Sequence, residues 1–489
     1  MNRTTISLAG AVVALAVLTG AAALDGGDSE AAPAASAARL PVQRSSLLCP
    51  EPSSSDFATT QYTSFTPPGS GGSGDGGGSS SAELVPVTPK ARPVAPLAAP
   101  GKPATAGTTR SDAPALVGTA DGPLAPGWTV QQTTVVDSGP GRGLLGASCV
   151  VPDSEFWFPG ASTESTRQDY VQLVNPDETP AVVDIELYGR NGLLKASTGD
   201  GITVPGGGTE PVLLSTIVAD KAADLTAHVV ARSGRVGALL ESTDTKAGAD
   251  WMAPAADPAT SLVLPGIPAD AADVRLVAFA TGSDDADLTV KLATSTGLIT
   301  PAGHETLHVK SGMTASVDLG DVTKGDAASL VIGSSDVHTP VPVVAAVRVT
   351  RGKGAGQEIA FLPATPRIDT RASVADNRAK GSTLSLTAVG RSVTARVTSS
   401  AGSGGGTAAS RTVTVKAGAT LAMAPPQPSG LKGTYAVTVE RISGGQLYAS
   451  RTLALPLDGV QMFTIQPMPD DRGMVAVPRA AADLRILDR

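Results

Sequence analysis

The chain of 489 residues reads as all-β: tandem Ig-like or fibronectin-like β-sandwiches that follow a disordered Gly/Ser/Pro/Ala-rich spacer. Three observations predict this class. From Gly127 onward, apolar and polar residues alternate at period 2 and turn residues recur every 8–12 positions. Aromatic residues make up only 3% and charged residues 17%, in a background rich in Ala, Val, Thr and Gly that suits strands and turns better than helical bundles. The third observation is repetition: AVVDIEL (181–187), ADLTVKL (286–292) and RSVTARV (391–397) align at steps of 105 residues.

Each segment is justified in turn. Residues 1–24 carry Arg3, an uncharged stretch from Thr4 to Leu24, and Asp25 and Asp28 just beyond. That polarity favours an N-inside, C-outside orientation. Two fates stay open, a signal peptide cleaved near Ala21-Ala22-Ala23 or a retained anchor of about 30 Å. Both put the body outside the cytoplasm. Residues 25–44 read as an Ala/Ser-rich tether, and 45–66 as an arm bearing Cys49 with Phe57, Tyr62 and Phe65. Between 67 and 126, Gly and Pro supply 22 of 60 residues and aromatics none, the composition of a disordered linker.

Three sandwiches are then expected, over 127–258, 259–368 and 369–489. Strands are predicted at Trp128–Val136, Tyr170–Val174, Val182–Leu187, Thr226–Val230 and Val236–Leu240. VPGGGTEPVLL (204–214), VKSGMTASVDL (309–319) and VKAGATLAMA (415–424) each place a glycine, Gly207, Gly312 or Gly418, in the turn before a strand-opening threonine. A further echo, TAHVVARSGRVGALLES (226–242) against TYAVTVERISGGQLYAS (434–450), reads as two strands joined by a Gly hairpin.

Cys49 and Cys149 are the two cysteines of the chain, and in an oxidising compartment they are expected to form one disulfide. The arm around SSLLCPEP, SCVVPDSEFWFPG (148–160) with DYVQLVNP and DIELYGRNG, and the ending TIQPMPDDRGMVAVPRAA resemble secreted actinobacterial proteins that share a conserved domain of unknown function. The resemblance spans nearly all of the chain after residue 40. It implies an exported or membrane-anchored protein and carries over no catalytic residue.

The chemistry-bearing motifs are few. His304-Glu305-Thr306-Leu307-His308 matches H-E-x-x-H, which needs a helix to bring both histidines to one zinc. The repeat alignment instead puts Thr306–Val309 on a strand, where residues four apart stand about 13 Å apart. Asp284, Asp285 and Asp287 could hold calcium, although a solvated hairpin turn is the simpler reading. Glu155 beside Phe156, Trp157 and Phe158 joins a carboxylate to an aromatic cluster, as core or as a partner surface. Leu362-Pro363-Ala364-Thr365, followed by Pro366, reads as an interdomain linker. No cofactor is expected.

A net charge of -8 without basic blocks argues against nucleic acid as a partner. Membrane association is expected only through the N-terminal segment. The functional expectation is a non-catalytic cell-envelope or secreted protein, a scaffold or interaction module for an unknown envelope protein or glycan. The alternative is a binding module for envelope glycan or a small ligand, and a third reading is a hydrolase whose residues carry no recognisable motif.

Overall fold

The computed structural model describes residues 38–69, 80–88, 91–139, 141–336 and 338–477. The expected leader (1–24) and most of the tether lie outside these residues. Two units divide the chain. The smaller contains most of a two-stranded ribbon of β1 (Ala38–Pro41) and β35 (Met474–Val477). The larger, Pro41–Gly473, is built almost wholly from antiparallel strands and forms four sandwiches rather than the three expected.

Sandwich I comprises β2 (Arg44–Cys49), β3 (Ala58–Phe65), β4 (Ala82–Pro86), β5 (Ala104–Thr108), β6 (Leu116–Asp121), β7 (Thr129–Val136) and β8 (Gly143–Ser148). Its two sheets run β2-β6-β4 and β5-β3-β7-β8. Two sequence expectations are corrected here. The interval 67–126 is not a continuous linker, because β4, β5 and β6 lie within it; residues 70–79 and 89–90 fall outside the described ones. Nor do residues 127–258 form one sandwich, since β7 pairs with the arm strand β3 and β8 pairs with β7. The arm supplies two strands to a domain of its own.

Sandwich II contains β9 (Glu155–Ala161), β10 (Arg167–Val174), β11 (Ala181–Gly189), β12 (Gly192–Leu193), β13 (Ile202–Val204), β14 (Thr209–Leu213), the one-turn helix α1 (Leu214–Ile217), β15 (Leu225–Ser233), β16 (Gly237–Asp244) and β17 (Gly248–Met252). Sandwich III repeats the plan with β18 (Ser261–Ile267), β19 (Ala271–Ala280), β20 (Ala286–Ala293), β21 (Leu298–Ile299), β22 (Thr306–Val309), β23 (Thr314–Asp318), β24 (Ala328–Ser334), β25 (Val343–Arg351) and β26 (Glu358–Pro363). Their corresponding sheets are β14-β10-β16-β17 and β23-β19-β25-β26, each facing a sheet built on β9-β15-β11 or β18-β24-β20.

Sandwich IV contains β27 (Arg371–Asn377), β28 (Ser382–Ser399), β29 (Gly405–Thr407), β30 (Ala409–Val415), β31 (Thr420–Met423), β32 (Ser429–Lys432), β33 (Tyr435–Ala454) and β34 (Phe463–Pro467). Here β28 and β33 are long enough, at 18 and 20 residues, to serve both sheets. One end of each joins β27 and β30, and the other joins β31 and β34.

The 105-residue repeat is therefore structural. AVVDIEL and ADLTVKL lie in β11 and β20, and RSVTARV in the second half of β28. Gly207, Gly312 and Gly418 sit at φ of 59°, 65° and 69°, a left-handed conformation that excludes most side chains. The 226–242 echo is corrected: β15 and β16 do not pair as a hairpin but belong to opposite sheets. The counterpart in sandwich IV is one strand, β33, shifting register at Gly444.

The four sandwiches close on themselves. The last strand of each faces the middle of the molecule: β8 packs on β17, β17 on β26, β26 on β34, and β34 back on β8. Buried side chains seal every seam. Leu145 and Ala147 of sandwich I meet Leu239 and Trp251 of II. Ile359 and Phe361 of β26 enter the core of II, while Ala360 and Leu362 of the same strand face the core of III. Phe463 and Ile465 of IV complete the core of III. Leu144 of I packs on Leu453 and Met462, and Phe65 of I on Ala375 and Ala436, closing I onto IV. Alternation within one strand buries both of its faces, one in each neighbouring domain. Leu362 and Pro363 are thus core strand, not linker. Among the described residues no helix is long and apolar enough to cross a membrane.

Candidate functional site

Cys49, at the end of β2, and Cys149, just after β8, form the expected disulfide, with Cα atoms 4.5 Å apart. Reciprocal hydrogen bonds between Leu48 and Val150 flank it, so the segment after Cys49 leaves sandwich I on a fixed path across sandwich II.

The aromatic segment at β9 divides by strand alternation. Phe156 and Phe158 point into the core of sandwich II. Trp157 points the other way, yet it is also buried, against Phe279 and Val344 of sandwich III. The ring of His228, cross-strand from Trp157, stacks on the indole at 3.6 Å between centroids. Glu155 is exposed, and its Oε1 lies 2.9 Å from His228 Nε2 and accepts the Trp157 indole N–H at 3.2 Å. Glu186 Oε2 lies 3.2 Å from His228 Nδ1 and accepts the Tyr188 hydroxyl at 2.7 Å. The structure thus brings Glu155 and Trp157 together in one polar-aromatic seam between sandwiches II and III.

The H-E-x-x-H residues lie where the repeat alignment puts them. Thr306–Val309 is strand β22, and His304 belongs to the preceding turn. The Glu305 carboxylate accepts the N–H of Gly303. His308 Nδ1 lies 2.8 Å from Asp287 and its Nε2 3.5 Å from Asp285. Asp285 also accepts the N–H of Ser311, so these carboxylates bind the hairpin together. Among the described residues no group of three or more His, Cys, Asp or Glu side chains is placed to hold a metal ion.

One site arises from the closure of the ring and has no sequence motif. At one mouth of its axis, the β7–β8, β16–β17 and β25–β26 turns enclose a pocket of about 450 Å³, lined in part by Arg142, Asp244, Lys246, Gly248 and Gln357. The fourth turn, β33–β34, comes alongside: a Cβ at Gly356 would lie 3.9 Å from the Gly459 carbonyl. Arg142 crosses the opening, donating to the carbonyls of Ala355 and Gln357 and, at 3.2 Å, to Glu358 Oε1. Glu358 is fully buried. Burial pushes its carboxyl up to about 7, and Arg142 opposes that rise only in part. Deeper on the axis, Asp250 accepts the N–H groups of Gly146 and Trp251. Burial holds Asp250 well above the usual carboxylate range. Gly248, at φ 86°, runs so close that a Cβ there would collide with the Glu358 carboxylate and the Arg142 carbonyl.

A search of the curated proteins finds no match to this chain. A family model does match, over residues 104–426, from β5 to just beyond β31 and hence across parts of all four sandwiches. With about two thirds of its length so matched, the chain belongs to the family of unknown function DUF5719.

Proposed function

We propose that this protein is a non-catalytic extracytoplasmic scaffold, secreted or held at the cell membrane by its N-terminal segment, that recognises an envelope partner. The observation that carries the reading is the convergence of four hairpin turns at one mouth of a closed ring. A ring whose seams are packed cores holds those turns in fixed relation, and loops on a rigid frame are where proteins place recognition. Thr245 and Lys246 stand exposed there, beside Arg142 and above a buried carboxyl. The disulfide supports an oxidising compartment.

The test places a photo-crosslinking residue at Thr245 and, as a control, at Thr398 on sandwich IV. The scaffold reading expects a discrete adduct with an envelope component from position 245 alone. No adduct, or the same adducts from both positions, would overturn it. Cell fractionation with N-terminal mass analysis tests the compartment, where recovery of the intact chain in the cytosol would refute export. A hydrolase screen of the purified protein is expected to stay blank.

A further inference from the structure

The outer face of sandwich II carries a second site, independent of the axial mouth. Along β10, Val171 and Leu173 face the core, so Gln168, Tyr170 and Gln172 face outward. The register sets Tyr170 opposite Glu241 and Gln168 opposite Thr243 on β16, with Gln172 opposite Pro211 on β14. In an isolated sandwich this would be an open polar sheet face. Here the segment after Cys49 crosses it, and Glu51, Ser53 and Ser54, together with Ser111, wall it into a pocket of about 300 Å³.

The lining chemistry is mixed in a specific way. Hydroxyls come from Ser53, Ser54, Ser111 and Thr243, and amides, each both donor and acceptor, from Gln168 and Gln172. The carboxylates Glu51 and Glu241 supply strong acceptors, and the ring of Tyr170 offers an apolar surface. The two carboxylates are already held in place: Glu51 accepts the Thr209 hydroxyl at 2.9 Å, and Glu241 accepts the Gln172 amide at 3.3 Å. A divalent cation would need oxygen ligands from several ionised or carbonyl groups. Glu241 is poorly suited to that, because burial and the neighbouring Glu51 push its carboxyl up to about 7, where it is half protonated at neutral pH. Donors and acceptors in near balance around one ring suit a neutral ligand with many hydroxyls.

We propose that this pocket is a binding subsite for a neutral saccharide, with Gln168, Gln172 and Glu241 bonding its hydroxyls and Tyr170 packing on the sugar ring. The disulfide acts as a positioning element, since it fixes the segment that carries Glu51, Ser53 and Ser54. The proposal does not rest on the scaffold reading, because it concerns a different face and a different ligand.

The experiment uses the full oxidised chain and saturation-transfer NMR with glucose, galactose, arabinose and N-acetylglucosamine, each at about 10 mM. At least one sugar is expected to receive saturation. Gln168→Ala and Glu241→Ala should each weaken its binding at least tenfold. Ser54→Trp, on the exposed rim and away from any core, should abolish it while leaving near-UV circular dichroism unchanged. A parallel calcium titration is the control. Absence of transfer to all four sugars, transfer that survives Ser54→Trp, or calcium uptake lost in Glu241→Ala without sugar binding would each overturn the proposal.

Discussion

Phe361 offers the sharpest test of the closed ring. It lies on β26 of sandwich III, yet its side chain is buried in the core of sandwich II. Replacement by alanine should cost about 3–5 kcal/mol for the lost burial and the cavity left behind. The guanidinium of the buried Arg167 stands 5.4 Å from the Phe361 ring centroid, an interaction that adds about 1–2 kcal/mol where both partners are desolvated. Because the two losses share one site they do not add fully, and the seam between II and III should weaken by about 5 kcal/mol. At 1.36 kcal/mol per tenfold, local opening would become more than about a thousandfold more frequent. Hydrogen exchange read by mass spectrometry resolves this by segment. Amides of β16, β17 and β26 should lose protection, while β30, on the far side of sandwich IV, should keep it. Leu362→Ala is the matched comparison, since that neighbouring side chain enters the core of III instead. It should expose β20 and β24 and spare β10. If the two variants gave the same exchange profile, or if Phe361→Ala left sandwich II untouched, shared cores would be the wrong description and the sandwiches would be independent beads.

Four further outcomes follow from the site geometry. Cys149→Ser opens a covalent loop with a sequence separation of 100 residues and should lower stability by up to about 4–5 kcal/mol in the chain-entropy account, measured as the shift in guanidinium midpoint. In the unaltered protein, alkylation should label no thiol until the chain is both unfolded and reduced. Burial pushes the carboxyls of Glu241 and Glu358 up to about 7 from the ordinary 4.5 of a free glutamate, so the folded form holds their protons more tightly. Their contribution is present in full below about pH 4.5 and is lost as pH rises through 7, on the order of 3 kcal/mol for each. The unfolding midpoint should therefore be higher at pH 5 than at pH 8; a flat or rising profile over that window would refute the assignment. Arg142→Ala leaves the buried Glu358 without its cation, a change that typically costs about 3–5 kcal/mol. That cost should be larger at pH 8 than at pH 5, because Glu358 escapes it by keeping a proton.

Residues 204–214 show what sequence alone can carry. The Val204, Gly207, Thr209 pattern and its two copies encode a local backbone requirement, a left-handed glycine between two short strands, and all three turns have it. Pairing partners are different in kind. Alternation in 226–242 is the same whether the second strand folds back on the first or crosses to the other sheet, and the decision rests on β9, β10 and β11, which lie outside that segment and tens of residues from their partners. Sandwich I was hidden for a related reason. Its strands β4 and β5 are five residues each within Gly- and Pro-rich surroundings, so composition registered the loops, whereas β3 and β6, which hold those strands, lie tens of residues away.

The site residues follow the same division. Cys49 and Cys149 were legible because a chain with two cysteines leaves one pairing. Trp157 was not, because its two readings, core or partner surface, converge: the surface it covers belongs to Phe279 in the next sandwich of the same chain. Arg142 and Glu358 carried no signal at all, being 216 residues apart, one in a turn and the other opening strand β26. Ring closure consumes apolar faces that a free sandwich would expose, since β26 gives one face to each of two cores. The two sites proposed for recognition are accordingly polar: the turns at the axial mouth and the walled face around Tyr170. Both proposed sites thus take their shape from how segments of the chain pack, the turns around the ring axis in one case and the disulfide-held segment after Cys49 in the other, rather than from exposed aromatic side chains.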